Sequence, residues 1–260
     1  MASFSEIGPV REDYGQGWLS VRHHLDITAF GINAQDADVG EEAIVGHTEA
    51  ETGDEELYVV LEGAIELVVD ADHVELGEGW AAVVEPAAFR AATALKDGTR
   101  VLFVGGKAGQ AYQSPDWDRS DGIDVDHSGD VPRDGAAKAY VAADVRELAS
   151  AWSNGPPGWR SVRREMGITS FGASAVTATA GETAIDEHDE TDSGHEELYL
   201  VAAGSADFLV DGEHFTLAAG DMVLVPPESS RSAVATGDDT LIYAFGAAPG
   251  KPYEMGWGGA

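Results

Sequence analysis

The sequence predicts an all-β protein built from two tandem copies of one small barrel-like domain. Three observations carry that expectation. There is a gap-free internal repeat, the turn residues cut the chain into short strands, and an Asp-Gly hairpin signal sits inside the repeat.

The repeat is plainest around two short segments. His47-Thr48-Glu49 precedes Glu55-Glu56-Leu57-Tyr58, and His188-Asp189-Glu190 precedes Glu196-Glu197-Leu198-Tyr199, an offset of 188 − 47 = 141. The same offset relates Gly17-Trp18 to Gly158-Trp159, Ser20-Val21-Arg22 to Ser161-Val162-Arg163, and Phe30-Gly31 to Phe171-Gly172. Downstream it relates Gly63, Val69-Asp70, His73, Gly79, Pro86 and Arg90 to Gly204, Val210-Asp211, His214, Gly220, Pro227 and Arg231. It ends with Gly109 and Tyr112 matching Gly250 and Tyr253, so residues 17–112 and 158–253 are two copies of one domain.

Each copy reads as β. Leu57–Leu61 and Leu198–Val201 are short apolar runs between polar segments. Asp211-Gly212 lies between Ala206–Val210 and Glu213–Leu217, a strong two-residue hairpin signal, and Asp70–Asp72 occupies the same place in the first copy. Ala81–Val84 and Met222–Val225 follow a glycine turn and stop near Pro86 or Pro226, because proline cannot donate to a strand ladder. Residues 113–135 are Asp- and Gly-rich and aperiodic, as in a linker. Residues 136–152 predict a helix, with Val141, Val145, Leu148 and Trp152 on one face, stopped by Asn154-Gly155-Pro156-Pro157-Gly158. The helix is expected to be unique, without a counterpart in the first copy. The expected organisation is an N-terminal barrel over 1–112, an acidic linker and helix over 113–152, and a C-terminal barrel over 153–260.

Charge and composition exclude several function classes. With 47 acidic and 15 basic residues the formal net charge is -32, the wrong sign for nucleic acid or an anionic membrane surface. The chain has no cysteine, so any metal site must use His, Asp and Glu. It shows neither a membrane-length apolar run nor a basic-then-apolar leader, and a cytoplasmic location is the default expectation. Only Lys96, Lys107, Lys138 and Lys251 are lysines. An acidic, lysine-poor surface suits a protein kept soluble at high salt, or simply an acidic proteome.

With these residues in place, the chain resembles the cupin family. That family's first motif runs Gly, His-x-His, Glu, and a Gly seven positions after that Glu; Glu56 and Gly63 fit its end, as do Glu197 and Gly204. In its second motif a Gly is followed by Pro six positions on and His eleven on. Gly220 and Pro226 fit, and Gly79 fits with its proline displaced to Pro86. The resemblance covers both copies and implies two jelly-roll (double-stranded β-helix) barrels, a bicupin, with the functional site in the open mouth of a barrel.

The resemblance also implies a divalent metal on three His and one Glu, and here the chain departs. The second His of His-x-His reads Glu49 and Glu190, and an alternative register places Glu49/Glu51 and Glu190/Asp192 at the two His positions. The second-motif His reads Arg90 and Arg231. His47, Glu49 and Glu56, with His188, Glu190 and Glu197, are candidate ligands for Fe, Mn, Zn or Ni. A permanently charged guanidinium beside them argues against a dication. The favoured expectation is therefore no cofactor: Arg90 pairs with Glu56 and Arg231 with Glu197 inside the barrel. Tyr58 and Tyr199, two positions beyond those glutamates, complete the pocket candidates.

Three functions remain open: binding of a small, anionic molecule in one or both pockets, a metal-dependent enzyme of dioxygenase, isomerase or cyclase type, and a non-catalytic structural module. Small molecules are the expected partners, and the chain is expected to be a monomer or homodimer. His73 and His214 follow the hairpin turn and read as surface residues. His195 stands opposite Asp54, outside the shared set. His23-His24, opposite Arg164-Glu165, reads as a charged strand, and Trp18 and Trp159 as barrel caps. Asp124–Gly129 starts like a calcium loop but has Gly135 where the bidentate Glu belongs. No Gly-x-Ser-x-Gly elbow occurs.

Overall fold

The computed structural model describes residues 1–10, 17–113, 129–133, 138–150 and 158–254. The first repeat opens with β1 (Ala2–Ser3) and a 3-10 turn, Phe4–Glu6. It continues through β2 (Trp18–Leu19), α1 (Val21–Leu25), β3 (Gly31–Ala37), β4 (Glu42–His47) and β5 (Asp54–Glu62). β6 (Ala64–Val69), β7 (Asp72–Gly77), β8 (Trp80–Val84), β9 (Arg90–Ala94) and β10 (Thr99–Lys107) complete it. The second repeat opens with β11 (Tyr140–Asp144) and a 3-10 turn, Val145–Glu147. It then runs through β12 (Trp159–Arg160), α2 (Val162–Met166), β13 (Gly172–Ala178), β14 (Thr183–His188) and β15 (Glu196–Ala203). β16 (Ser205–Val210), β17 (Glu213–Ala218), β18 (Asp221–Val225), β19 (Arg231–Ala235) and β20 (Thr240–Ala247) close the chain.

These strands form two antiparallel barrels, each from a six-stranded and a four-stranded sheet. In one the orders are β11-β8-β5-β10-β3-β2 and β4-β9-β6-β7; in the other, β1-β18-β15-β20-β13-β12 and β14-β19-β16-β17. The two sheets of a barrel bury their facing side chains together. Tyr58 and Val60 of β5 meet Ile44 of β4, Ile65 and Leu67 of β6 and Val101 of β10 in the first core. Tyr199, Val201, Ile185, Ala206, Phe208 and Ile242 do the same in the second. Burying each large side chain contributes about 1.5–3 kcal/mol.

The hairpin signals are realised. Asp211 and Gly212 both have positive φ between the paired residues Val210 and Glu213, as a type I′ turn requires. In the first copy Asp70 takes φ 50° between Val69 and Asp72. The family glycine after the pocket Glu has a steric cause. Gly63 and Gly204 have φ of 78° and 69°, and a Cβ there would lie 2.3 and 2.6 Å from Thr99 Oγ1 and Thr240 Oγ1.

The expected helix over 136–152 does not form. Tyr140–Asp144 is a strand, and Val141, which a helix would have buried, is 45% exposed. The edge of β8 decides this. β11 pairs along it from Tyr140↔Val84 to Asp144↔Trp80, and these ladder bonds outweigh a modest helical periodicity. Trp152 lies outside the described residues. Nor is the segment unique. β1 pairs with β18 as Ala2↔Met222 and Ser3↔Asp221, and β11 pairs with β8 as Ala143↔Ala81 and Asp144↔Trp80. Both pairings obey the same offset (143 − 2 = 222 − 81 = 141), so the repeat extends back to Ala2. As a result the compact units are discontinuous in sequence. One comprises Met1–Glu6, Gly109–Ala111 and Val145–Ala260, and the other Ile7–Ala108 and Tyr112–Asp144.

His23 and His24 also lie in a helix rather than a strand, on α1, whose repeat counterpart α2 carries Arg164 and Glu165 at the matching positions. Each helix is a short turn ended by a left-handed residue, Asp26 or Gly167, that strand alternation could not reveal. Trp18 stacks on Phe103 at 5.7 Å, and Trp159 packs against the second core, as barrel caps would. Asp124–Ser128 lie outside the described residues. Among the described residues no helix is long and apolar enough to cross a membrane.

Candidate metal centre

The pocket is made where the two sheets of each barrel face one another. β4 is bulged against β9. Four residues of β4, Ile44 to His47, lie opposite three of β9, Ala92 to Arg90. The same shift recurs between Ile185↔Ala233 and His188↔Arg231. A bulge re-aims the strand end. It leaves His47 directly opposite Arg90, and His188 opposite Arg231. The facing β5 supplies Glu56 and Tyr58, which alternation puts on one face with core residue Val60; β15 supplies Glu197 and Tyr199.

The loop after β4 carries the next carboxylate. The Glu49 amide donates to the Pro86 carbonyl at 2.8 Å, and the Glu190 amide to the Pro227 carbonyl at 2.8 Å. Thr52 and Ser193 hydroxyls then donate to the Glu49 and Glu190 carboxylates. His47, Glu49 and Glu56 thereby each offer a ligand atom within 4.8 Å of the others, as do His188, Glu190 and Glu197. Glu51 and Asp192 are exposed, so the folded chain uses the His47/Glu49 and His188/Glu190 register.

The histidine orientation is set by the backbone. His47 Nδ1 lies 2.7 Å from the Val45 carbonyl and His188 Nδ1 2.7 Å from the Asp186 carbonyl. A carbonyl only accepts, so Nδ1 carries the proton and Nε2 is turned inward. There His47 Nε2 lies 3.3 Å from Glu56 Oε2 and 3.5 Å from Glu49 Oε1; His188 Nε2 lies 3.5 Å from Glu197 Oε2. Acceptor atoms this close repel unless a cation, proton or metal, sits among them.

The electrostatics reflect that demand. Burial pushes Glu49 from an ordinary 4.5 up to about 7, with the Glu56 charge adding to it against the pull of Thr52, His47 and Arg90. Burial would raise Glu56 too, but hydrogen bonding and charge from His47, the Arg90 charge and the Tyr58 hydroxyl hold it down at about 2. Burial lowers the His47 imidazole, yet Glu56 outweighs that and raises it above 6.5. His188 is raised chiefly by its hydrogen bond to Glu197. Burial also holds the Tyr58 and Tyr199 phenols well above 10, so each stays protonated and donates to its glutamate.

The arginines face the glutamates that the sequence pairs them with, as long ion pairs without a hydrogen bond. Arg90 Nη1 stands 4.0 Å from Glu56 Oε2, and Arg231 Nε 3.9 Å from Glu197 Oε2, both beyond hydrogen-bond reach. Each guanidinium is instead tethered by one nitrogen. Arg90 Nη2 donates to the Glu85 carbonyl at 3.0 Å, and Arg231 Nη2 to the Pro226 carbonyl at 2.9 Å. Both side chains are 0% exposed, and Nε and Nη1 of each find no hydrogen-bond partner among the described residues. Leaving a buried donor unsatisfied costs about 1–3 kcal/mol.

The turn after β8 or β18 was the least legible part of the site. Its two successive carbonyls, of Glu85 and Pro86 or of Pro226 and Pro227, hold the arginine and the Glu49/Glu190 loop respectively. The hydroxyls of Thr52 and Ser193 were equally overlooked, although the repeat pairs them. Other candidates fall outside the cluster. His73 is exposed beside Glu66, and His214 is exposed. His195 is buried and stacks on Tyr253 at 5.4 Å.

Comparison with known proteins agrees with this architecture. Residues 176–245 match the family model described as Cupin domain. A Cupin 2 conserved barrel domain protein from Leptotrichia buccalis superposes with TM-score 0.56 at 13% identity, covering 84% of this chain and 83% of that one. Protein Ylba from E. coli gives 0.63 at 13% identity, covering 98% and 92%. Bacillus subtilis oxalate decarboxylase, whose structure is described in terms of its Mn(II) centers, gives 0.63 at 15% identity, covering 98% and 78%. No curated protein matches the chain. The family match thus covers most of the second barrel, and the structural likeness extends the same fold over both.

Proposed function

We propose that each barrel binds one divalent first-row metal ion, held by His47, Glu49 and Glu56 in one and by His188, Glu190 and Glu197 in the other. The observation behind this reading is the backbone-locked histidine. In both copies Nδ1–H is committed to a strand carbonyl, so Nε2 is turned toward the carboxylate oxygens. Carbonyls that accept from the outer ring nitrogen orient metal-bound histidines in this way. The fit extends to spacing. Ligands about 2.0–2.2 Å from one ion lie roughly 3.0–3.6 Å apart, and the observed His–Glu separations are 3.3 and 3.5 Å. Imidazole with carboxylates suits manganese, iron, zinc or nickel.

The arginine weighs less against a dication than the sequence suggests, because its nearest nitrogens stand off by 3.9 and 4.0 Å from the pocket glutamates. A bound ion would act as a Lewis acid toward an oxygen ligand. The chain's own groups do the positioning: Tyr58 and Tyr199 hold Glu56 and Glu197, and Thr52 and Ser193 hold Glu49 and Glu190.

The test is metal content after equilibration with each ion and gel filtration, on protein purified without a tag. One ion per barrel is expected, falling by one in His188→Ala and in Glu197→Gln. Protein that takes up none of manganese, iron, zinc and nickel overturns the reading and returns the pocket to a metal-free binding site or a structural barrel.

A further inference from the structure

The two arginines are not explained by holding an ion. Each is fully buried, gives one nitrogen to a strand-end carbonyl, and keeps Nε and Nη1 without a hydrogen-bond partner among the described residues while standing across the ladder from the pocket histidine. The arrangement is the same in both repeats, down to the carbonyl one position after the end of β8 or β18, that of Glu85 or Pro226. The packing thus spends a rigid, planar, permanently charged donor on each pocket and leaves most of it unused.

We propose that Arg90 and Arg231 anchor a small monocarboxylate in each pocket. The charge balance rests on the metal reading above. With His neutral, a dication and one arginine against two glutamates leave one net positive charge, which one monoanion cancels. The donors decide the shape. Nε–H and Nη1–H lie on opposite edges of the guanidinium, so the fork pairs one of them with the second N–H of Nη2; that pair meets the two oxygens of a carboxylate, a match that a neutral amide, with one acceptor oxygen, does not make. A dianion would leave the buried pocket with a net negative charge beside Glu56 or Glu197, and is disfavoured.

The experiment is calorimetric titration of manganese-equilibrated protein with sodium acetate, acetamide and inorganic phosphate at constant ionic strength. One acetate per barrel is expected, with acetamide at least tenfold weaker. Arg231→Gln and Arg90→Gln should each abolish one acetate site while leaving manganese content unchanged. Should a glutamine variant fail to fold by circular dichroism, Arg→Lys at the same position keeps the charge but loses the fork, and is expected to weaken acetate at least fivefold. Stoichiometric manganese with no acetate binding, with acetamide equal to acetate, or with phosphate preferred overturns the anchor and leaves the metal reading standing. If manganese does not bind, the metal reading falls alone, and the same titration of metal-free protein decides the anchor: acetate binding lost in Arg231→Gln supports it, no binding overturns it.

Discussion

The two pockets carry the same chemistry under different cover. His47 and His188 make the same carbonyl bond, face the same pair of glutamates and stand opposite the same arginine. Their surroundings diverge. In the first barrel Asp130 accepts from the Thr48 amide at 2.8 Å, beside His47, and Arg133 clamps the buried Asp70 through Nη2 at 2.7 Å. The His47 side chain is 15% exposed. In the second barrel His188 is 33% exposed, His195 replaces Asp54, and Ala248 replaces Lys107. What is shared is whatever orients the donor atoms; what differs is whatever covers them. That is the pattern expected if the arrangement of donors is the functional requirement and access to it is free to vary.

The strongest way to break this comparison is through Glu49. Its folded-state value, about 7, lies above the ordinary 4.5, so the folded state favours the protonated carboxyl. That contribution is present below pH 4.5 and is lost as pH rises through 7, where a buried charge must be carried. With a chelator present, Glu49→Gln should therefore stabilise the first barrel at pH 8, by at most about 3 kcal/mol, and change little at pH 4. With a divalent ion present the same substitution should destabilise, since a ligand is lost. Denaturant titration at the two pH values, with and without ion, reads both signs; a variant insensitive to the ion would separate Glu49 from any metal site.

A smaller effect sharpens the equivalence of the pockets. Tyr58→Phe and Tyr199→Phe each delete a hydroxyl that donates to an ionised glutamate, and each should cost about 1.5–3 kcal/mol. Thermal unfolding that shows a loss in one variant and none in the other would mean that the two glutamates are held differently. The Glu56 contribution has the opposite pH sense to that of Glu49. Its value of about 2 lies below 4.5, so its stabilisation is full above pH 4.5 and fades as pH falls toward 2.

The smallest expected effect concerns cover alone. Asp130→Ala removes one accepted hydrogen bond, worth about 0.5–1.5 kcal/mol, from the first barrel only. Hydrogen exchange should speed at Thr48 while Asp189, its counterpart, is unchanged. Equal change at both amides would show that cover does not distinguish the barrels.

Much of the fold was legible because a duplicated sequence is its own control. Each strand, turn and glycine could be read twice, and the type I′ hairpin at Asp211-Gly212 is a local preference that needs no tertiary help. Val141, Val145 and Leu148 misled because their spacing suits a helix, whereas the decisive partner, the edge of β8, lies about sixty residues upstream. Of the pocket, residue types were legible and contacts were not. The Arg90–Glu56 pair is present, but its length of 4.0 Å follows the Glu85 carbonyl that holds the guanidinium, which nothing local announces.

By itself, then, the amino-acid sequence determined the two barrels, their hairpins and the inventory of His, Glu, Tyr and Arg in each pocket, because periodicity, turn chemistry and repetition are local properties of the chain. Only the tertiary structure decided that β1 and β11 complete the opposite repeats' sheets, that a bulge turns His47 and His188 inward, and that each arginine keeps donors without a hydrogen bond among the described residues. Those features depend on hydrogen bonds between residues far apart in sequence, which form only when the sheets close.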